Sequence, residues 1–163
     1  MFLLVPSTWQ PIASHICYGP KNNAYAKFTF DQQCELVGLR LRHVSGVFKD
    51  KYGKGLFGRG AWKFWTLITN SSNSLVYPTN VNDKGRYSLG GFDVTDTLIF
   101  FNNFPAIKVT KEEEFRIWFG PDFIDYKYST TTGPTGSHCV NVDVSCLVWT
   151  FVKLPEHSKH ECI

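Results

Sequence analysis

The run Phe115-Arg116-Ile117-Trp118-Phe119 alternates with a period of two, placing Phe115, Ile117 and Phe119 on one face and Arg116 and Trp118 on the other. Such alternation is the pattern of a half-buried strand. Gly120-Pro121 follows it. Proline has no backbone N–H to donate to a ladder, and glycine takes dihedrals that other residues avoid, so the chain turns here and presents Asp122 and Asp125 at a sheet end. No helical periodicity in the chain runs longer than a turn or two. Aromatic residues reach 16%, with 14 Phe, 7 Tyr and 5 Trp, and aromatic side chains suit pleated, half-buried surfaces. The fold class read from this is all-β.

Other strand patterns repeat along the chain with turn residues between them. They are Lys27–Phe30, Leu36–Val44, Trp62–Ile68, Leu75–Tyr77, Thr97–Phe101, Ile107–Val109 and Cys146–Lys153. In the second of these, Val37, Leu39, Leu41 and His43 share a face opposite Arg40 and Arg42, whose charges read as solvated. His43 reads as a hydrogen-bonded core histidine. The last run is nearly continuously apolar, the mark of a central strand. Ile12–Lys21, next to Pro11 and holding Cys17, Gly19 and Pro20, reads as an irregular entry. About ten short strands imply a jelly-roll-like sandwich of two antiparallel sheets, with a β-barrel as the alternative. The 163 residues suit one domain. It is expected over residues 12–154, after an N-terminal extension (1–11) and before a C-terminal tail (155–163).

The net charge of +3 is too small and too dispersed to argue for nucleic acid. No run approaches the roughly 18 apolar residues of a membrane span. Met1–Val5 resembles the start of a signal sequence, but Pro6 ends the apolar run short of an h-region of about 7–15 residues. Cys17, Cys34, Cys139, Cys146 and Cys162 include no C-x-x-C pair, so one or two disulfides and an unpaired cysteine in an extracellular setting are expected. Asn70-Ser71-Ser72 is a glycosylation sequon. Lys51, Lys54 and Arg59 lie in a glycine-rich loop fit for an anionic polymer. Gly53–Gly58 matches G-x-G-x-x-G, but an aromatic strand follows where a dinucleotide site needs a helix. Ser137-His138-Cys139 are adjacent, so their side chains diverge and form no triad by themselves. His157, His160 and Cys162 offer ligands to a soft ion, against the simpler reading of a tail. Asp122, Asp125, Asn141 and Asp143 offer oxygen to calcium, without the spacing of an EF-hand loop.

Ile16-Cys17-Tyr18-Gly19, Leu39–Gly46 and Glu114–Asp122 followed by Cys139 resemble, in order, an uncharacterised secreted β domain of cnidarian and other marine-invertebrate extracellular proteins. The resemblance implies secretion, a compact β domain and a role in adhesion or matrix, with no catalytic residues. Its Trp-aromatic-Gly-acid-Asp turn has Pro121 at the acid, and Tyr128–Thr131 stand where it has an acidic loop, which weakens an inherited calcium site. The expected function is therefore non-enzymatic recognition of carbohydrate or matrix polymer, with no cofactor required and calcium as the one candidate. Its candidate residues are Trp118, Asp122, Asp125 and Tyr126, with Lys51, Lys54 and Arg59 as a second patch. The alternatives are a self-assembling skeletal or mineral-associated matrix protein and a hydrolase whose triad is assembled by the fold.

Overall fold

The computed structural model describes residues 2–6, 8–59, 63–90, 95–101, 105–126 and 133–151. In chain order the elements are β1 (Phe2–Pro6), β2 (Gln10–Tyr18), β3 (Ala26–Thr29), β4 (Cys34–Asp50), β5 (Gly53–Gly55) and β6 (Thr66–Asn70). There follow β7 (Leu75–Tyr77), β8 (Thr97–Phe101), β9 (Ile107–Val109), β10 (Glu114–Phe119), the single helical turn α1 (Gly120–Phe123) and β11 (Thr135–Phe151). The two 17-residue strands, β4 and β11, pair antiparallel and form the spine of a seven-stranded sheet. β1 and β2 lie along the far edge of β11, and β5, β8 and β9 along the far edge of β4. The second sheet has four strands in the order β3-β10-β6-β7. The two sheets pack as an antiparallel sandwich and are not closed into a barrel.

Aromatic side chains fill the space between the layers. Phe48 of β4 meets Phe119 of β10 at 4.8 Å, and Tyr77 of β7 stacks on Phe100 of β8 at 5.2 Å. Within the smaller sheet, Phe115 meets Phe30 edge-on at 5.0 Å. Fully burying one such ring is worth about 1.5–3 kcal/mol, so these contacts hold the sheets face to face. Two disulfides staple the larger sheet from within. Cys17–Cys139 joins β2 to β11 and Cys34–Cys146 joins β4 to β11, across sequence separations of 122 and 112 residues. Closing loops this long removes on the order of 4–5 kcal/mol of unfolded-chain entropy each. Cys162 lies outside the described residues, as does the tail 155–163.

Three sequence expectations change. Residues Phe2–Pro6, placed in an extension, form an edge strand in register from Phe2↔Phe151 to Pro6↔Leu147. Ile12–Lys21, read as irregular, is mostly the regular strand β2, whose pairing with β11 is kinked by bulges beside Val142. Proline and glycine mask its pattern, and the partner that orders it lies far along the chain. In β4 the register passes from Ser145↔Gly38 to Cys146↔Leu36, which leaves Val37 without a partner. A bulge of this kind shifts the inward face by one residue, so Leu36, Leu39 and Leu41 are buried while Val37 is half-buried.

Candidate functional site

Gly120 stops β10 because its backbone is pressed against the neighbouring loop. Its N–H donates to Trp65 O at 2.6 Å, and a Cβ at this position would fall 2.0 Å from Gly85 O. Pro121 then starts α1, and the turn ends with Asp125 in the left-handed region (φ 52°) and the Tyr126 N–H donating to Pro121 O at 2.9 Å. This places Asp122, exposed Asp125 and Tyr126, 38% exposed, at one corner of the sandwich. The turn between β2 and β3 closes the corner from the other side. Asn22 and Asn23 are both left-handed (φ 63° and 55°), and the backbone amides of Asn22, Asn23 and Ala24 lie on the side of the Asp122 carboxylate and favour its charged form. Successive amides in such a turn converge on an anion. Burial pushes the Asp122 pKa up and the charge of Asp125 adds to that, against the pull of the three N–H groups, so the group ends above the usual carboxylate value. Its Oδ2 is buried and has no hydrogen-bond partner.

Trp118 does not join this corner as an exposed ring. It shares a face with Arg116, as the alternation requires, yet it is only 4% exposed and belongs to the buried hydrophobic cluster. Tyr25 covers it at 4.6 Å and Phe123 at 5.4 Å, and its Nε1–H donates to Thr69 Oγ1 at 3.0 Å. Arg116 in turn lies 4.6 Å from the Tyr25 ring and donates to Glu114 and Asn73. Period two reveals which face a residue occupies and is silent about what covers that face. Trp118 is thus a packed residue and not a surface platform.

The four oxygen donors considered for calcium do not converge. Asp143 is 2% exposed on β11, and its carboxylate is taken by Arg40 Nε at 2.9 Å, Arg42 Nε at 2.7 Å and Arg42 Nη2 at 3.1 Å. Asn141 Oδ1 accepts the His15 N–H at 2.9 Å. Among the described residues, one group of three or more His, Cys, Asp or Glu side chains brings its ligand atoms within 4.8 Å of one another: His15, Cys17 and Cys139. Two of its members are joined in a disulfide.

The basic loop also differs from expectation in one residue. Arg59 is engaged by Asp50 and lies 5.3 Å from the ring of Tyr52, while Lys51 and Lys54 are exposed. Asn70 uses its side-chain oxygen within its own turn, accepting the N–H groups of Ser72 and Ser74 at 3.0 and 2.9 Å. A buried hydrogen-bonded chain through Tyr18, His138 and His43 was not legible in sequence. Thr66 donates to Phe57 O, so its oxygen accepts from the Tyr18 hydroxyl at 2.7 Å; Tyr18 in turn accepts from His138 Nδ1 at 3.0 Å. His138 Nε2 then accepts from His43 Nδ1 at 3.0 Å, so His43 is hydrogen-bonded as expected but half-buried and not a core residue. Burial, and then the nearby His43, hold the His138 pKa down to about 3. With His138 so engaged and Cys139 oxidised, the Ser137-His138-Cys139 run supplies no nucleophile and base. His157, His160 and Cys162 lie outside the described residues.

No protein-family model and no curated protein matches the sequence. Among solved structures, the fold is similar to that of AJLec from the sea anemone Anthopleura japonica, with a TM-score of 0.72 and 18% identity, covering 85% of this chain and 96% of that one. The two proteins share a β-sandwich fold, and the likeness extends over nearly the whole of the anemone protein.

Proposed function

We propose that the protein is a secreted, non-enzymatic module that binds carbohydrate at the corner formed by α1 and the β2–β3 turn. The observation that carries this reading is the cluster of two carboxylates, half-buried Asp122 and exposed Asp125, beside the half-exposed ring of Tyr126, with Asp122 Oδ2 left without a partner behind them. Buried acceptors are ordinarily satisfied. A saccharide offers the matching chemistry, with hydroxyl donors for the carboxylates and a C–H face for the tyrosine ring. The name of the structural neighbour, AJLec, is that of a lectin, which supports the same reading. Two disulfides fit an oxidising compartment, and among the described residues no helix is long and apolar enough to cross a membrane.

A glycan array probed with the wild-type protein and with Asp122→Asn and Asp125→Asn, in calcium and in chelator, tests the proposal. The expected result is binding to a set of neutral glycans that both substitutions weaken, and the chelator arm reports whether an ion takes part. Unchanged binding by Asp122→Asn removes the corner. Absence of any glycan binding, together with concentration-dependent light scattering by the protein alone, would favour a self-assembling matrix component instead.

A further inference from the structure

The hairpin of β4 and β5 sets its positive charges against each other. Its register, Phe48↔Gly55, Lys49↔Lys54 and Asp50↔Gly53, leaves Lys51-Tyr52 as a two-residue loop. Side chains directly opposed in an antiparallel pair lie about 5 Å apart at Cβ, and like charges placed so destabilise the pair. The one acid on the hairpin does not relieve this repulsion. Asp50 Oδ1 accepts the Tyr52 N–H at 2.8 Å and Oδ2 is paired with Arg59. Lys49, Lys51 and Lys54 are all exposed, and none forms a salt bridge among the described residues. Between these charges stands Tyr52, 69% exposed, with Lys51 Nζ 4.8 Å and the Arg59 guanidinium 5.3 Å from its ring centre. Folding alone is better served by an acid at position 49 or 54, or by burial of the ring, and the hairpin has neither.

We propose that this hairpin is a second binding site, separate from the α1 corner, for an acidic polysaccharide. Sulfate or carboxylate groups meet Lys49, Lys51 and Lys54, and one sugar ring lies on Tyr52. Arg59 acts as a positioning residue that ties the tyrosine to Asp50. A polysaccharide suits the tip better than a lipid surface because Tyr52 is the only large exposed apolar side chain on the hairpin, which leaves no wedge to insert among acyl chains. It suits the tip better than nucleic acid because the whole chain carries a net charge of only +3.

The experiment is equilibrium binding of the full chain to heparin as a function of salt, beside dextran, phosphatidylserine vesicles and single-stranded DNA. Lys49→Gln/Lys54→Gln is expected to weaken heparin binding at least tenfold and to flatten the salt dependence. Tyr52→Ala should weaken binding severalfold with the salt dependence unchanged, since counterion release follows charge and not stacking. Asp122→Asn should bind heparin as the wild type does, which separates this site from the corner. Circular dichroism checks that each variant is folded, and the double lysine variant should melt no lower than the wild type because it loses a repulsion. Heparin binding unchanged in the folded lysine variant overturns the proposal, and so does tighter binding to the vesicles or to DNA than to heparin.

Discussion

Asp143 and Asp122 are both carboxylates drawn away from solvent, and they end with opposite proton affinities. At Asp143 burial would raise the pKa, but hydrogen bonds from Arg42 and Arg40, and their charges, outweigh it and leave the group below 3.8. At Asp122 burial wins over three backbone N–H groups, with Asp125 adding to it, and the group ends above 3.8. Two guanidiniums saturate the first acid. The backbone amides of one turn leave the second with an oxygen that nothing satisfies. What separates a structural acid from a binding acid here is the remaining valence, which burial and position in a loop do not reveal.

The largest effect expected from testing this contrast is on stability at Asp143. Asp143→Ala leaves Arg40 and Arg42 without their partner. Removing one member of such a network costs about 2–3 kcal/mol, moderated because both arginines reach solvent and Arg40 also lies 4.8 Å over Trp9. Urea titration should show that loss, while glycan binding by the folded protein stays unchanged. Asp122→Asn should do the reverse. The amide has the same shape and keeps an oxygen on the side of the Asn22–Ala24 turn, so stability should move by less than about 1 kcal/mol, whereas glycan affinity should fall about tenfold, or 1.4 kcal/mol. If the two substitutions trade outcomes, the contrast is wrong. Trp118→Phe is a third test, in which loss of the indole donor to Thr69 should cost about 1 kcal/mol and leave glycan binding unaffected. A loss of binding with stability intact would return Trp118 to the site.

Much of this arrangement was legible in the sequence where the signal is local. The faces of β10, the turn at Gly120-Pro121 and the short strands β7, β8 and β9 follow from periodicity and punctuation within a few residues, whereas the run from Cys146, read as central, is paired with β4 only as far as Leu147, and the central part of β11 lies before it. What was hidden depends on partners distant in sequence. The bulge at Val37 exists only in the pairing of β4 with β11, and β2 becomes regular only against β11. Tyr25, which covers Trp118, comes from the opposite end of the chain. Asp143 was legible only as an oxygen donor ahead of the last strand, and the alternation that set Arg40 and Arg42 on a solvated face could not show that β11 would bring an acid between them. At the corner, the sequence placed Asp122 and Asp125 at a sheet end, and it held no sign that the turn at Asn22-Asn23 would cradle one of them.

The smallest effect sharpens the contrast most, because its sign differs between the two acids. The folded-state pKa of Asp143 is depressed, so its contribution to stability is present above 3.8 and is lost as pH falls through the lower folded value. The folded-state pKa of Asp122 is raised, so between 3.8 and that higher value the folded state binds more protons than the unfolded one, and acidification there adds stability. Asp122 is partly exposed, and solvent screening keeps this gain below about 1 kcal/mol. His138, held down to about 3 from 6.5, makes every form less stable as pH drops below 6.5, which obscures the effect in any single curve. It cancels in differences between the wild type and a variant measured at the same pH. Denaturant titrations from pH 7 to pH 3 should therefore show the advantage of the wild type over Asp143→Asn shrinking at the acid end. Over the same range, the wild type should gain on Asp122→Asn. Parallel movement of the two differences would mean that the two acids sit in equivalent environments, and the unsatisfied oxygen at the corner would lose its meaning as a binding group.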